Sequence, residues 1–126
     1  MRPIDECPCG SGAPFGTCCL ALHRGESQAG TAEQLMRARY SAYAVGDLDY
    51  VWQTWHPRTR LDALTPADGL TWTGLEIVGT SGGGMLEPTG TVEFRAAYTR
   101  RGVPGEQHEL SSFVRESGNW VYRGEA

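Results

Sequence analysis

Four cysteines crowded near the amino terminus constrain this chain more than any other feature of its sequence. Cys7, Cys9, Cys18 and Cys19 are its only cysteines and lie within thirteen residues. A segment this short has almost no hydrophobic core, so it needs another source of folding free energy. A structural Zn²⁺ bound tetrahedrally by four thiolates supplies that free energy in small metal-binding domains. We therefore expect a zinc-binding knuckle over residues 1–25.

The spacing of the cysteines leaves the fourth ligand open. The pattern is Cys-x-Cys, then eight residues, then Cys-Cys, and the side chains of adjacent residues ordinarily diverge. If a helical turn begins at Cys18, His23 lies four residues after Cys19 on the same helical face. Cys19 and His23 are therefore competing candidates for the fourth position, beside the other three cysteines.

Disulfides and redox-sensing thiols are the alternatives to a metal site. The residues before Cys7 contain no apolar run, so no signal peptide is predicted, and no segment approaches the ~20 apolar residues of a membrane span. We therefore expect a cytoplasmic protein with no membrane association. Disulfides are rare in that reducing compartment, which favours metal binding as the role of the cluster.

The charge balance argues against general nucleic-acid binding. The 126 residues carry a formal net charge of −4, and all eleven basic residues are arginine. Proteins that bind phosphate backbones present a basic surface, which this balance does not favour. With 40% apolar and 21% charged residues, the rest of the chain is expected to fold around an ordinary core.

Two amphipathic helices are predicted after the cysteine segment. Thr31 and Gln34 form a capping-box pattern, and Gly46 is placed to end the first helix. Asp47 can cap a second helix, which Pro57 ends. The apolar faces are formed by Leu35, Ala38, Ala42 and Val45 in the first helix and by Leu48, Val51, Trp52 and Trp55 in the second.

Four strands are predicted after a loop over residues 58–69, whose last five residues have turn chemistry. Glycine-rich turns separate short apolar segments, which favours an antiparallel meander. The predicted strands are residues 70–78, 91–99, 109–115 and 120–123, with turns at residues 81–84, 102–105 and 117–119. Helices followed by a meander predict an α+β domain over residues 31–126, joined to the knuckle by a polar linker at residues 26–30.

The cysteine segment resembles a known zinc motif. Cys-Pro-Cys-Gly-Ser-Gly followed by Cys18-Cys19 is similar to the SEC-C motif, the zinc-binding tail of the SecA translocation ATPase. The resemblance implies a structural zinc with Cys19 in the place of the last ligand, which is a histidine in SecA. The SecA motif docks the chaperone SecB and has basic residues in its centre. The corresponding positions of this chain carry no positive charge and hold Ala13, Pro14, Gly16 and Thr17.

The body of the chain resembles the bacterial YchJ-like family. The similarity rests on the segments Leu35–Ala44, Thr54–Pro57, Val92–Phe94 and Trp120–Tyr122. That family couples an SEC-C motif to a domain similar to the nuclear-transport-factor-two or SnoaL-like cone, in which a curved sheet wraps around helices. The family has no established activity. The resemblance therefore implies zinc and a cone-like fold, and it implies no particular reaction.

A cone of this kind often leaves a pocket at its open end. Some polar residues could line this pocket or have a purely structural role instead. The structural role of His56 would be an interaction with the C-terminus of its own helix, and that of Glu93 and Arg95 a cross-strand charge ladder. The sequence contains no nucleophile–base pattern and no phosphate-binding glycine loop. The candidates for lining a pocket are Tyr40, Trp55, His56, Arg58, Glu93, Arg95, Glu109 and Arg115.

Three functions are compatible with these features. The sequence most favours a protein-interaction or adaptor module whose knuckle presents an apolar patch around Phe15, Leu20 and Leu22 to another protein, with the cone as scaffold or homodimer partner. A small-molecule-binding protein or enzyme would instead need a hollow cone with a few convergent polar groups. A catalytic zinc would need an open coordination position, which four protein ligands exclude.

Overall fold

Short helices precede a sheet of four long strands. The structure is a computed structural model and describes residues 1–66 and 68–126. After a 3₁₀ turn at Phe15–Thr17, the elements are α1 (Cys19–His23), α2 (Ala32–Val45), α3 (Leu48–Gln53), β1 (Leu70–Gly82), β2 (Thr89–Arg100), β3 (Val103–Glu116) and β4 (Asn119–Glu125). Ala67, at the centre of the turn predicted over residues 65–69, lies outside the described residues.

Helix α2 begins and ends where the sequence predicts. The hydroxyl of Thr31 accepts a hydrogen bond from the backbone N–H of Gln34 at 3.1 Å. Gly46 ends the helix with a left-handed φ of 83°, a conformation that glycine adopts without steric cost. Asp47 then caps α3 by accepting a hydrogen bond from the N–H of Tyr50 at 3.1 Å. The three predicted caps are confirmed.

Helix α3 is shorter than predicted. The predicted stop at Pro57 is wrong, because the helix ends before Thr54. The carbonyl of Thr54 accepts from the N–H of Tyr122 in β4 at 2.8 Å, and the N–H of His56 donates to the Tyr122 carbonyl at 2.7 Å. Trp55 therefore lies in a short bridge along the free edge of β4 and not on a helical stripe.

The strands form the predicted antiparallel meander, in the order β1-β2-β3-β4. The turn predicted over residues 102–105 is wrong, since Val103 already pairs with Arg100. Only Arg101 and Gly102 turn the chain, with φ values of 52° and 84°. Positive φ at both central residues is the type I′ geometry, whose twist matches that of the flanking strands. The hairpin between β3 and β4 has the same geometry.

Helix α2 packs across one face of the sheet and forms the main core with it. Irregular pairing between β1 and β2 and between β3 and β4 bends the sheet around the helix. The predicted α+β architecture, with helices on one face of a curved sheet, is confirmed. None of the described helices is long and apolar enough to cross a bilayer. The buried core residues are Ala32, Leu35, Met36 and Tyr40 of α2 and Val92, Phe94, Ala96, Phe113 and Trp120 of the sheet.

Candidate functional site

The four cysteine sulfurs converge at one point beside helix α2. All four Sγ atoms lie within 4.8 Å of one another. The Sγ of Cys18 is 3.7 Å from that of Cys9 and 4.0 Å from that of Cys19. These separations are far longer than the ~2.05 Å of a disulfide bond, and all four thiols are free. This group, Cys7, Cys9, Cys18 and Cys19, is called the sulfur site below, and its geometry can hold a metal ion.

A tight loop brings the first two cysteines together. The N–H of Cys7 donates to the carbonyl of Ala13 at 2.9 Å, which closes the loop that contains Cys9. Within it, Gly10 and Gly12 have φ values of 81° and 86°. A residue with a Cβ adopts such values only at a cost, so glycine is favoured at these two positions.

The backbone at Cys18 removes the difficulty of adjacent ligands. Cys18 stands between the 3₁₀ turn and α1, with φ −108° and ψ −114°, outside the helical region. Cys19 is the first residue of α1. Because the chain changes direction between these two residues, their side chains converge on one point instead of diverging.

His23, the alternative fourth ligand, does not belong to the sulfur site. Its Nε2–H donates to the carbonyl oxygen of Ala38 at 2.8 Å. The imidazole ring packs against the rings of Phe15 and Tyr50, and the side chain is only 2% exposed. His23 therefore fastens α1 to α2.

Two serine hydroxyls contact the sulfur site. The Oγ of Ser11 lies 3.2 Å from the Sγ of Cys18, and the Oγ of Ser41 lies 3.6 Å from the Sγ of Cys7. Hydroxyl donors orient thiolate ligands and stabilise their charge. Ser41 was not predicted as a site residue, although it is a small polar residue on the buried face of α2.

The thiols of the sulfur site do not all ionise without a compensating cation. A hydrogen bond from the Cys19 thiol lowers the pKa of Cys9 to about 4, and the same bond raises the pKa of Cys19. Burial raises the pKa of Cys18. Since like charges this close repel, a metal cation is what makes further thiolates favourable.

The apolar residues of the cysteine segment face the body of the protein. Phe15 and Leu22 are only 3% and 5% exposed and pack with the cysteines against Ala38 of α2. Leu20 is half-buried in the same cluster. The exposed apolar patch expected around Phe15, Leu20 and Leu22 is therefore not formed, because the knuckle uses these side chains to attach itself to α2.

A cavity of about 330 Å³ lies between α2 and the inner face of the sheet. This volume is at the lower end of the range for small-molecule pockets. Of the pocket residues predicted from the sequence, Tyr40, Trp55 and Glu109 line it. The full lining consists of Met36, Arg39, Tyr40, Tyr43, Trp55, Trp72, Phe94, Ala96, Gln107, Glu109, Ser111 and Tyr122.

Arg39 is a buried cation in the cavity wall. The residue is 4% exposed, and its Nη1 donates to the carbonyl of Val51 at 2.7 Å and to the hydroxyl of Thr54 at 2.8 Å. Its guanidinium lies 4.7 Å from the ring centroid of Tyr122. Burial lowers the pKa of Arg39, and no carboxylate of residues 1–66 or 68–126 forms an ion pair with it.

Arg39 was not predicted as a cavity residue, although its position in the sequence carries a signal. Its neighbours three and four positions away on α2 are Leu35, Met36, Ala42 and Tyr43, which are all apolar or aromatic. A charged side chain enclosed in this way on one helical face is a candidate for burial beside them, and Arg39 is buried here.

The carboxylate of Glu109 is held by two hydroxyl groups. The hydroxyl of Tyr122 donates to Oε2 of Glu109 at 3.0 Å, and the hydroxyl of Ser111 donates to the same oxygen. Burial first, and then the charge of Glu109, raises the pKa of Tyr122, so the phenol keeps its proton. The cavity therefore contains one fixed cation, Arg39, and one fixed carboxylate, Glu109.

The two regions described above match two family models. Residues 31–124 match the middle NTF2-like domain of YchJ, and residues 5–21 match the SEC-C motif. The chain belongs to the YchJ-like family. Both resemblances seen in the sequence, and the cone-like fold that they imply, are thereby confirmed.

Relatives in this family share nearly the whole chain. A UPF0225 protein of Streptomyces coelicolor is 49% identical over 95% of this chain and 94% of its own length. One from Deinococcus radiodurans is 45% identical over 95% of this chain and 88% of its own length. In both comparisons the aligned region therefore spans the cysteine segment and the cone of this chain.

Two solved structures have the same fold. The solution structure of an SEC-C motif containing protein from Rhodopseudomonas palustris has a TM-score of 0.84 at 33% identity and covers 97% of this chain and 98% of its own. A crystal structure of an SEC-C motif containing protein from Psychrobacter arcticus has a TM-score of 0.79 at 29% identity, over 96% and 81% of the two chains.

Two residues predicted to line the pocket of this YchJ-like protein lie on the other side of its sheet. Successive strand residues point to opposite faces, and Phe94 between Glu93 and Arg95 faces the core. Outside, the Nε2 of His108 lies 2.6 Å from Glu93, and Arg95 lies 3.7 Å from Glu106. The prediction that Glu93 and Arg95 line the pocket is therefore wrong. Both residues belong to a cross-strand charge ladder on the outer face of the sheet.

Arg115, His56 and Arg58 also lie away from the cavity. Arg115 donates to the carbonyls of Met85 at 2.6 Å and Glu87 at 2.9 Å, so it holds the loop between β1 and β2. The Nδ1 of His56 accepts from the backbone N–H of Arg58 at 3.0 Å in the segment that follows α3, instead of capping a helix C-terminus. Arg58 itself is exposed. The three are corrected from pocket residues to structural or surface residues.

Proposed function

We propose that this chain is a small-ligand-binding protein in which a structural Zn²⁺ at the sulfur site fastens the cysteine segment to the cone. The cavity between α2 and the sheet is the observation that carries the proposal. Its aromatic walls, with a few polar groups converging on one space, are the usual make-up of a ligand pocket.

The sulfur geometry supports zinc. A tetrahedron with Zn–S distances near ~2.3 Å has edges of about 3.8 Å. The Cys9–Cys18 and Cys18–Cys19 sulfur separations of 3.7 Å and 4.0 Å lie on either side of that value. Four thiolates favour a soft, tetrahedral ion and leave no open position, so the proposed role of the metal is structural.

Metal content tests the zinc proposal directly. We expect Cys18→Ser to lose most of its zinc by elemental analysis after purification without added metal. The matched control is Thr17→Ser, an exposed neighbour that points no ligand atom at the sulfur site. Equal zinc contents in the two variants would contradict the proposal.

The adaptor function predicted from the sequence is less well supported than ligand binding. It requires an exposed apolar surface on the knuckle, whereas Phe15 and Leu22 are buried. Docking of another protein and homodimer formation stay predictions. We further propose the cytoplasm as the compartment, because four free thiols persist best in a reducing environment.

A neutral aromatic probe tests ligand binding. We propose titrating the protein with indole and following the four tryptophan indole N–H signals by NMR. Trp55 and Trp72 line the cavity and are expected to shift in a saturable way. Trp52 and Trp120, whose indole N–H groups donate to Leu61 and Gly30, are internal controls and should not shift.

Filling the cavity supplies the matched variants. Ala96 is buried in the cavity wall, and Ala97, the next residue on β2, is exposed on the opposite face. Ala96→Phe should abolish indole binding, and Ala97→Phe should leave it unchanged. Binding that survives Ala96→Phe, or an absence of any shift at Trp55 and Trp72, would contradict ligand binding in this cavity.

A further inference from the structure

The guanidinium of Arg39 has donors that the protein does not use. A guanidinium carries five N–H donors, and the two bonds of Arg39 to Val51 and Thr54 both come from Nη1. The donors on Nε and Nη2 have no acceptor in the described part of the chain. A buried charge with unmet donors is unfavourable unless something else supplies acceptors. Because Arg39 lines the cavity, a ligand bound there can supply those acceptors.

Glu109 provides an unused hydrogen-bond acceptor, and it is bonded to the same tyrosine, Tyr122, that lies beneath Arg39. The guanidinium of Arg39 lies over the ring of Tyr122, and the hydroxyl of Tyr122 donates to Oε2 of Glu109. With Oε2 occupied by two hydroxyls, Oε1 accepts no hydrogen bond from any residue in the ranges 1–66 and 68–126. The cavity therefore offers unused donors at Arg39 and an unused acceptor at Glu109.

The walls restrict the shape of a ligand that reaches both groups. Trp72 and Phe94 line the cavity, with Trp55 against Tyr122 at a ring-centroid distance of 5.4 Å. Aromatic walls favour a planar ring that can pack in offset or edge-on contact. The volume of about 330 Å³ limits the ligand to one or two rings.

Building on the proposed function, we infer that the cavity binds a small planar aromatic acid, with its carboxylate on Arg39 and a hydroxyl or N–H group donated to Glu109. The planar fork of an arginine matches a carboxylate in two parallel hydrogen bonds. Arg39 forms no ion pair within residues 1–66 and 68–126, so a ligand carboxylate can pair with it directly, whereas a phosphate dianion would bring a second negative charge towards Glu109.

The probe is 4-hydroxybenzoate, which has a carboxylate at one end and a hydroxyl donor at the other. Two analogues isolate the two ends: 4-hydroxybenzamide removes the charge, and benzoate removes the hydroxyl donor. By the same tryptophan N–H signals, we expect 4-hydroxybenzoate to bind at least about tenfold more tightly than the amide and about threefold more tightly than benzoate.

Two variants assign the preferences to residues. Arg39→Lys keeps the charge but loses the fork, so the preference for carboxylate over amide should fall. Glu109→Gln should bring the ratio between 4-hydroxybenzoate and benzoate close to one while the carboxylate preference stays. Because the comparison of the three probes on the unmodified protein needs no variant, a folding defect in Arg39→Lys does not remove the test.

The outcomes separate this inference from the proposed function. Equal affinity for 4-hydroxybenzoate and 4-hydroxybenzamide overturns the inference, and so does an absence of shifts at Trp55 and Trp72 with every one of the three probes. If indole still shifts those two signals, ligand binding in the cavity stands and only the aromatic-acid assignment fails. If neither indole nor any of the three probes shifts either signal, both fail.

Discussion

The hydroxyl of Ser41 lies 3.6 Å from the sulfur of Cys7, so helix α2 contacts the sulfur site directly. The same helix supplies Arg39 and Tyr40 to the cavity wall. One helix therefore links the cysteine segment to the cavity, and the position of α2 depends on contacts at both places. The knuckle and the cavity are therefore in contact with the same helix, so a change at the sulfur site can affect the position of the cavity wall.

Replacement of Ser41 by alanine is expected to lower zinc affinity by about tenfold, because an orienting hydroxyl beside a thiolate ligand is lost. The helix itself should tolerate the change, since alanine is the best helix former. Competition with a chromophoric zinc chelator measures the affinity. Ser111→Ala is the control, since Ser111 is equally buried and contacts Glu109 instead of a sulfur. Indistinguishable affinities in the two variants would argue against a role for Ser41.

Removal of the metal is expected to unfold the cysteine segment before the cone. The segment depends on the sulfur site and on a small apolar cluster, whereas the main core between α2 and the sheet contains no cysteine. Hydrogen exchange with and without a strong chelator should therefore show lost protection over residues 5–21 and retained protection in β2 and β3. Unchanged protection of the N–H of Cys7, which donates to Ala13, would count against this view.

Local signals in the sequence were sufficient for most of the fold. The caps at Thr31, Gly46 and Asp47, and the meander itself, depend on interactions between residues close in the chain. The end of α3 could not be predicted in this way, because the residues after it pair with Tyr122, more than sixty positions away. The backbone conformation at Cys18 could not be predicted from local signals either, since it depends on the packing of Phe15 and Leu22 against α2.

The loop between β1 and β2 depends on Arg115. Its guanidinium donates to several backbone carbonyls, including those of Met85 and Glu87. Arg115→Met should lower the free energy of unfolding by about 2 kcal/mol, the typical loss when charge-assisted hydrogen bonds are removed. Arg95→Met is the control, because Arg95 is exposed and should cost less than about 1 kcal/mol. Urea denaturation compares the two, and a similar cost for both would be inconsistent with this role.

The hairpin between β3 and β4 depends on glycine at position 118. Gly118 has a φ of 86°, and an added Cβ there would contact nothing within 4 Å, so a substitution is opposed by backbone conformation alone. Gly118→Ala should destabilise the protein by about 1–2 kcal/mol. Gly79→Ala has equally open space and no left-handed φ, and should change stability by less than about 0.5 kcal/mol. Thermal unfolding of the pair measures the difference, and equal midpoints would contradict the type I′ geometry.

The cavity was only partly predictable from the sequence. Alternation along β2 places Val92 and Phe94 inside and Glu93 outside, and this pattern was readable from the residues alone. Glu109 on β3 is harder to place, because both faces of that strand are polar near it. That Arg39 and Glu109 face one cavity follows from the packing of α2 on the sheet, which no local pattern encodes.

X-ray absorption at the zinc edge, on protein purified without added metal, tests the metal centre most directly. We predict one zinc per chain, surrounded by four sulfur atoms at about 2.3 Å and by no nitrogen. A mixed sulfur and nitrogen shell would contradict the four-cysteine site, because it would mean that a histidine such as His23 takes the place of Cys19 as a ligand. A folded chain that contains no zinc would contradict the proposed structural role of the metal altogether.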